Sequence, residues 1–300
     1  MLEYTNILEA KNIYKKLKNF ELNIDELNIP RGFSTALIGE NGAGKTTLLN
    51  ILSGVRLDYK GQIRYFDNYD NTGFSLAPEV YSQIGFTSVS NYYMPFWTIN
   101  KIDELNKTFF DNYNSDKFFK LCKALAITDN VTNYSKKVSE LSEGNKIKLM
   151  LAGVLARDTE FLILDEPASA LDPLMRDVLC GLIRDYIASK DGRTVFFSTH
   201  NISDMENVTD YAIILEHGRI VERGFIDDLK EKYILVKGEA CDADKVSQYL
   251  LSISKSSYGF EGICPAENLD MLAGLDIVTE TPSLFQISVA IMKKNTHVSL

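Results

Sequence analysis

The sequence predicts an α/β fold, and three observations support that class. Short apolar runs typical of buried strands alternate with segments whose apolar residues recur at helical spacing. The run FSTALIGE (33–40) leads into GENGAGKTT (39–47), a glycine-rich loop that opens a helical pattern. A second run, FLILDE (161–166), reads as a buried strand that ends in two carboxylates. Strands that alternate with helices in this way are typical of α/β domains.

The first half of the chain is predicted to hold antiparallel strands and a helical insert. Residues 1–29 alternate short apolar runs with charges, as antiparallel strands do. Residues 61–89 are predicted to form another strand pair around a polar loop. From about 98 to 140, stretches such as SDKFFKLCKALAI place apolar residues at helical spacing, which predicts the insert.

The second half continues the alternation and ends in a smaller unit. A helix to about 157 precedes the FLILDE strand, and a helix, the strand TVFFSTH and the hairpin YAIILEHGRIVERG follow. We expect one domain over 1–232 and a small C-terminal α+β extension over 233–300. Within it, Thr281 and Pro282 predict the N-cap and first turn of a helix that runs to about Lys294.

The composition is that of an ordinary globular protein, with 300 residues, 45% of them apolar and 24% charged. A net charge of −9 disfavours nucleic acid or anionic lipid as a broad-surface partner. No apolar run is long enough to cross a bilayer, and the charged start leads us to expect no signal peptide. The four cysteines are widely spaced and contain no CxxC, so free thiols are expected.

The segment GENGAGKTT fits the P-loop pattern GxxxxGK[ST]. Its glycines allow consecutive backbone N–H groups to turn inward and cradle phosphates. Lys45 is expected to reach the β- and γ-phosphates, and the Thr46 hydroxyl to hold Mg²⁺. The alternative is a glycine-rich turn with a chance lysine. The strand predicted before the segment and the helix predicted after it favour the P-loop, because a P-loop needs both. We therefore assign phosphate binding to Asn41, Gly42, Gly44, Lys45, Thr46 and Thr47.

Two further strand ends carry candidate catalytic groups. Asp165 is placed to enter a Mg²⁺ shell, and Glu166 to polarise a water as a general base. His200 ends TVFFSTH and is interpreted as a contact to the γ-phosphate and the attacking water. The alternative for His200 is an ordinary histidine at a strand end, which is the only interpretation given to His217 and His297.

The segment LSEGN (141–145) places a serine and a glycine just before a helix. A helix start presents unpaired N–H groups and the positive end of a dipole, so it suits an anion. Ser142 and Gly144 are thus candidate anion contacts, but the spacing alone does not say which anion they meet.

GENGAGKTT, LSEGN, FLILDE, SALD (169–172) and STH occur in an order and spacing that resemble the ATP-binding cassette (ABC) ATPases over about residues 5–225. The resemblance implies a P-loop NTPase core with an antiparallel β subdomain and a helical subdomain. It implies that Ser142 and Gly144 bind the γ-phosphate of an ATP held by a second subunit. Asp172 resembles the acid of the loop that crosses between subunits. Tyr14 resembles the aromatic that stacks on adenine, and the alternative for Tyr14 is an ordinary strand tyrosine.

Two departures from the family pattern affect the expected site. Glu143 stands where glycine is commonest in the signature, and Asn145 where glutamine is. In IGFTSVSNYYMPFWT (84–98), Val89 takes the place of a glutamine that touches Mg²⁺ and the transport partner. A water, a neighbouring Ser88, Ser90 or Asn91, or an alignment shifted by a residue or two would account for the missing oxygen.

The resemblance implies the ATPase subunit of a membrane transporter, most like bacterial exporter subunits, that binds ATP and Mg²⁺ and hydrolyses ATP. A transmembrane permease subunit and a second ABC ATPase subunit, identical or not, are the implied partners. The expected location is the cytoplasmic face of the cell membrane, peripheral through the membrane partner. The rival interpretation is a soluble ABC ATPase that acts on ribosomes or DNA.

Overall fold

A computed structural model of the chain describes residues 4–67, 69–71, 77–90, 92–127 and 134–296. Two residues singled out from the sequence, Asn91 and His297, lie outside the described residues, as does the 128–133 part of the predicted insert. Within the described ranges, no helix combines the length and the apolar character needed to cross a bilayer.

The described part of the chain contains strands, α-helices and short 3₁₀ helices in alternation. The strands are β1 (Asn6–Leu17), β2 (Phe20–Pro30), β3 (Ser34–Ile38), β4 (Lys60–Tyr65), β5 (Tyr69–Asn71), β6 (Ile84–Thr87), β7 (Phe161–Leu164), β8 (Thr194–Thr199), β9 (Tyr211–Glu216), β10 (Arg219–Phe225), β11 (Tyr233–Gly238), β12 (Ser252–Lys255), β13 (Phe260–Pro265) and β14 (Ile277–Glu280). The α-helices are α1 (Lys45–Leu52), α2 (Pro78–Gln83), α3 (Ile99–Phe109), α4 (Ser115–Ala124), α5 (Glu143–Leu155), α6 (Pro173–Ala188), α7 (Ile226–Lys232), α8 (Ala243–Val246) and α9 (Leu284–Thr296). The 3₁₀ helices are Val138–Glu140, Ile202–Asp204, Glu206–Val208, Ala240–Asp242, Ser247–Tyr249 and Ala266–Leu272.

The central sheet has the strand order β10-β9-β3-β8-β7-β6. All neighbours pair in parallel except β10, which returns antiparallel beside β9. The carboxyl ends of β3, β7 and β8 therefore meet at one edge of the sheet, where ligands of open α/β sheets bind. The predicted α/β class is confirmed by this arrangement.

A four-stranded antiparallel sheet, in the order β2-β1-β4-β5, lies beside the central one. The prediction for residues 61–89 was wrong in part, because β4 pairs with β5 while residues 78–83 form helix α2. Pro78 occupies the first turn of that helix, where its missing N–H costs nothing. β6 then joins the central sheet beside β7 instead of pairing with β4.

Helices α3, α4 and α5 follow one another between β6 and β7. Their buried apolar side chains belong to the same hydrophobic cluster as those of the central sheet. Each of α3 and α4 has a side-chain cap at its start. The Thr98 hydroxyl accepts from the Lys101 N–H (3.1 Å), and the Asn114 side chain from the Lys117 N–H (2.9 Å). These caps satisfy donors that a helix start otherwise leaves unpaired.

The C-terminal residues form a third sheet, β12-β13-β11-β14, with α9 beside it. The predicted helix start at Thr281 and Pro282 was wrong by two residues. Ser283 is the N-cap instead, because its hydroxyl accepts from the Gln286 N–H (3.2 Å) while the Gln286 side chain accepts from the Ser283 N–H (2.8 Å). This reciprocal capping box satisfies two donors, which Thr281 cannot do from its position.

Candidate functional site

A cavity of about 490 Å³ opens at the carboxyl edge of the central sheet, a volume typical of small-molecule sites. The P-loop, the first strand pair and the ends of β7 and β8 surround it. Its lining residues are Leu17, Phe20, Glu40, Asn41, Gly42, Gly44, Lys45, Thr46, Thr47, Val89, Glu166, Ser169 and His200. The P-loop residues predicted from the sequence therefore face one space together with Glu166 and His200.

The backbone of the P-loop adopts conformations that favour glycine. Gly42 and Gly44 have φ angles of +87° and +108°. A Cβ added at Gly44 would lie 2.5 Å from the Phe20 ring, so a side chain there would clash. Helix α1 begins at the next residue, Lys45, and Gly44 has no side chain to cap it. The first N–H groups of α1 are thus left for an anionic ligand in the cavity.

Lys45 is held at the floor of the cavity with only 6% of its surface exposed. Its Nζ donates to the carbonyl oxygens of Gly39 (2.8 Å) and Glu40 (3.2 Å). The same Nζ lies 3.2 Å from Oε1 of Glu166. A cation in this position offers its charge to an anion that enters between the loop and Glu166.

Asp165 lies behind the cavity and is almost fully buried. The Ser198 hydroxyl donates to its Oδ1 (2.6 Å), whereas its buried Oδ2 has no hydrogen-bond partner among the described residues. Burial raises the pKa of Asp165, and the Ser198 and Thr46 hydroxyls partly oppose that shift. A buried carboxylate oxygen without a partner is costly, so this oxygen is available to a ligand.

Glu166 connects the groups at the strand ends. Its Oε1 faces Lys45, and its Oε2 lies 2.6 Å from Nδ1 of His200. Its φ angle is +50°, an uncommon conformation for a residue other than glycine and one that clusters at functional sites. The Glu166 N–H donates to Oγ of Ser198 (2.9 Å). One serine hydroxyl thus holds both acidic residues.

Sequence reasoning missed the role of Ser198. The signal was present in the two apolar runs FLIL and FFST, which form β7 and β8 and pair in parallel with Leu164 opposite Phe197. This register brings the residue after Phe197 next to the two carboxylates that follow Leu164. The pairing of these strands, and hence the contact, was not part of the prediction.

Ser142, Gly144 and Asp172 do not line the cavity of their own chain. Ser142 is exposed and caps α5 by accepting from the Asn145 N–H (3.3 Å). A Cβ at Gly144 would lie 2.9 Å from the Ala170 carbonyl oxygen, so α5 starts against the SALD segment. Asp172 is also exposed and caps α6 through the Met175 N–H (3.0 Å).

Tyr14 does not line the cavity either, in contrast to its expected place beside the nucleotide. Side chains alternate along a strand, so Tyr14 and Leu17, three residues apart on β1, lie on opposite faces. Leu17 pairs with Phe20 across the hairpin, and both line the cavity. The aromatic side chain at the cavity is therefore Phe20.

Val89 lines the cavity with a side chain that is about half exposed. Of the neighbours considered as replacements for the missing glutamine, the Ser88 hydroxyl donates to the Ser90 carbonyl oxygen (2.6 Å). Neither Ser88 nor Ser90 lines the cavity. Of Ser88, Val89 and Ser90, Val89 is therefore the residue that faces the cavity.

The family model described as ABC transporter matches residues 22–169. Nickel import ATP-binding protein NikO of Rhodobacter capsulatus is 30% identical over 210 residues, which cover 68% of this chain and 82% of that protein. Molybdenum import ATP-binding protein ModC of Haemophilus ducreyi is 27% identical over 258 residues, which cover 84% of this chain and 70% of that protein.

Solved structures share the fold. An ATP-binding cassette in a dimeric, post-hydrolysis state bound to ADP and Pi gives a TM-score of 0.62 at 21% identity, covering 73% of this chain and 98% of the other. A bacterial Atm1-family ABC exporter with ATP bound also gives 0.62, at 22% identity, covering 76% of this chain and 40% of the other. With a relative at 30% identity covered over most of its length, the chain belongs to the ABC transporter family and is an ATP-binding, ATP-hydrolysing cassette.

Proposed function

We propose that this chain is the ATPase subunit that drives a transporter through a separate transmembrane permease by pairing with a second cassette when ATP binds. One observation carries the proposal. Lys45, Glu166 and His200 face one cavity, whereas Ser142 and Gly144 lie outside it at an exposed helix start. Because that helix start suits an anion but does not face its own P-loop, a second subunit's ATP is the fitting ligand.

In this proposal the residues around the cavity bind the parts of one ATP. The N–H groups of Asn41, Gly42 and Gly44 and the start of α1 surround the phosphates, and the Lys45 Nζ neutralises them. Thr46 and Thr47, on the first turn of α1, complete the phosphate contacts. Phe20, in place of Tyr14, stacks on the adenine.

The replacement of Phe20 by Ala tests the adenine contact. Loss of one stacked ring costs about 1–3 kcal/mol, so we expect ATP affinity to fall about fivefold to 150-fold. Tyr14→Ala is the matched control, since it removes an aromatic from the same hairpin but outside the cavity. Nucleotide titration by fluorescence or calorimetry measures both. A larger loss in Tyr14→Ala than in Phe20→Ala would reverse the assignment.

Asp165 and Thr46 are the residues that would hold Mg²⁺ beside the phosphates. Their oxygens are the hard ligands that Mg²⁺ prefers. In proteins, Mg²⁺ is usually bound by one or two carboxylates together with the phosphates of the substrate. The buried Oδ2 of Asp165, which has no hydrogen-bond partner in the described part of the chain, fits that use. When bound, Mg²⁺ would neutralise charge on the phosphate oxygens.

Glu166 is the proposed general base and His200 its partner in orienting the attacking water. The Lys45 Nζ and the His200 ring hold the two carboxylate oxygens of Glu166 at the cavity wall. A fixed carboxylate there accepts a proton from a water molecule while that water attacks the γ-phosphate. The uncommon backbone angle of Glu166 and the hydrogen bond from its N–H to Oγ of Ser198 fix the backbone from which that carboxylate projects.

Val89→Gln tests whether the missing amide oxygen limits turnover. We expect slow basal hydrolysis in the isolated wild-type subunit. Supplying one oxygen ligand should reduce the Mg²⁺ concentration for half-maximal hydrolysis by about threefold or more. Val89→Leu keeps the bulk without the oxygen and serves as control. The test is the rate of ATP hydrolysis measured as a function of Mg²⁺ concentration. If both variants and the wild-type protein depend equally on Mg²⁺, residue 89 has no role at the metal.

The proposed partners are a transmembrane permease and a second ABC ATPase subunit, with no nucleic acid, at the cytoplasmic face of the membrane. Export stays a prediction, because NikO and ModC are import proteins by name whereas the Atm1-family protein is an exporter. Cell fractionation followed by purification tests the proposal. We expect membrane association that is lost when the co-purifying membrane protein is removed. Association with ribosomes or DNA instead would favour the rival function.

A further inference from the structure

The residues that follow His200 form a short, internally bonded stretch, which we call the post-histidine segment (residues 201–208). It folds into two consecutive 3₁₀ helices before β9 begins. The Met205 N–H donates to the Ile202 carbonyl oxygen (2.9 Å), and the Thr209 hydroxyl to the Met205 carbonyl oxygen (2.7 Å). These hydrogen bonds brace the stretch of chain that directly follows His200.

The apolar side of the post-histidine segment packs against the C-terminal helix α9. Ile202, Met205 and Val208 are buried. They belong to the same hydrophobic cluster as the apolar residues on one face of α9, namely Leu284, Ile287, Ala290 and Ile291. The C-terminal extension therefore shares a core with the stretch that directly follows His200.

Glu206 adds a directional contact to this packing. Its Oε1 accepts from the Leu284 N–H (2.9 Å), the first N–H of α9, and lies 3.5 Å from Nζ of Lys230. A carboxylate at a helix N-terminus is stabilised by the helix dipole as well as by the hydrogen bond. The capping box of Ser283 and Gln286 occupies the N–H groups of those two residues. Glu206 adds an acceptor for the Leu284 N–H, which that capping box does not engage.

Asp204, near the middle of the post-histidine segment, ties it to α6. Asp204 Oδ1 lies 2.5 Å from a guanidinium nitrogen of Arg176, whose Nε donates to the Leu171 carbonyl oxygen (2.9 Å). Asp204 Oδ2 accepts from the side chain of Asn201, the neighbour of His200 (3.1 Å). The segment is thus held between α6 on one side and α9 on the other.

We propose that Glu206 is a positioning residue for hydrolysis, which holds the post-histidine segment and hence His200 in place by anchoring it to the N-terminus of α9. The proposal rests on the role of His200 proposed above. Glu206 does not line the cavity, so its effect is on turnover and not on ATP binding. The C-terminal extension thereby contributes to the turnover of a site that none of its described residues lines.

Glu206→Ala removes the anchor, and Glu206→Gln keeps an oxygen that accepts from the Leu284 N–H. We expect the alanine variant to lower kcat about threefold to tenfold at unchanged KM for ATP, and the glutamine variant to restore most of the rate. Lys237→Ala, which removes a surface ion pair to Glu280 within the extension, is the control and should match wild type. If Glu206→Ala does not fold, Glu206→Asp, which keeps the charge but shortens the reach, is measured in its place.

His200→Ala and the double variant with Glu206→Ala separate this inference from the proposed function. If Glu206 acts through His200, the second substitution changes the residual rate little once His200 is gone. The inference is overturned if Glu206→Ala lowers kcat by the same factor in the His200→Ala background as in the wild-type protein. It is also overturned if Glu206→Ala changes KM but not kcat, or lowers the melting temperature while kcat stays at the wild-type value. A wild-type rate in His200→Ala alone would instead overturn the role of His200 in the proposed function.

Discussion

Glu166→Gln is expected to lower ATP turnover about 10²- to 10⁴-fold while ATP binding persists. Glutamine has the shape of glutamate but does not accept a proton at neutral pH, so only the step that needs a base is lost. Phosphate binding depends on the P-loop N–H groups and Lys45, which the substitution leaves in place. Steady-state hydrolysis and nucleotide titration measure the two effects separately.

The same variant should accumulate an ATP-dependent dimer. If hydrolysis opens the pair of cassettes, a site that binds ATP without cleaving it keeps the pair closed. Sedimentation with ATP and Mg²⁺ is expected to show a dimer in Glu166→Gln and less of it in the wild-type protein. Glu79→Gln, at an exposed carboxylate of α2 outside the cavity, is the matched control. A wild-type rate in Glu166→Gln would remove Glu166 as the base.

The residues proposed to carry the chemistry were singled out from the sequence because they stand at strand ends or in the loop that follows one. Lys45, Asp165, Glu166 and His200 follow apolar runs, and the carboxyl ends of parallel strands meet at one edge of a sheet. The α/β class followed from the same alternation of strands and helices. That Lys45, Glu166 and His200 face one cavity also depends on β3, β8 and β7 being neighbours in the sheet.

What sequence reasoning missed depends on register and on long-range contacts. Tyr14 and Phe20 lie on the same hairpin, and only the alternation of side chains along the paired strands decides which one reaches the cavity. Ser198 holds Asp165 and Glu166 only because β7 and β8 are neighbours in a particular register. Glu206 meets Leu284 across 78 residues of chain. No local pattern signals such a contact.

Lys45→Ala is expected to lower the rate of ATP hydrolysis about 10²-fold or more and to weaken ATP binding about tenfold to a hundredfold. The lysine is the cation that the P-loop directs at the phosphates, and its charge matters most where negative charge develops. Asn41→Ala is a suitable comparison, since it changes a neutral side chain of the same loop. We expect Asn41→Ala to affect ATP binding far less in the same titration.

Lys45 also has a role in the folded protein that a second measurement separates from catalysis. With Lys45 and Glu166 only 6% and 12% exposed, removing the lysine leaves a largely buried carboxylate without its cation, at a cost of about 1–3 kcal/mol in the free energy of unfolding. Glu166→Gln in the same chain removes that charge. The double variant should therefore unfold at a higher temperature than Lys45→Ala while it stays inactive. Equal melting temperatures for the two would show that the ion pair does not stabilise the fold, and the loss of hydrolysis in Lys45→Ala would then come from the phosphate contacts alone.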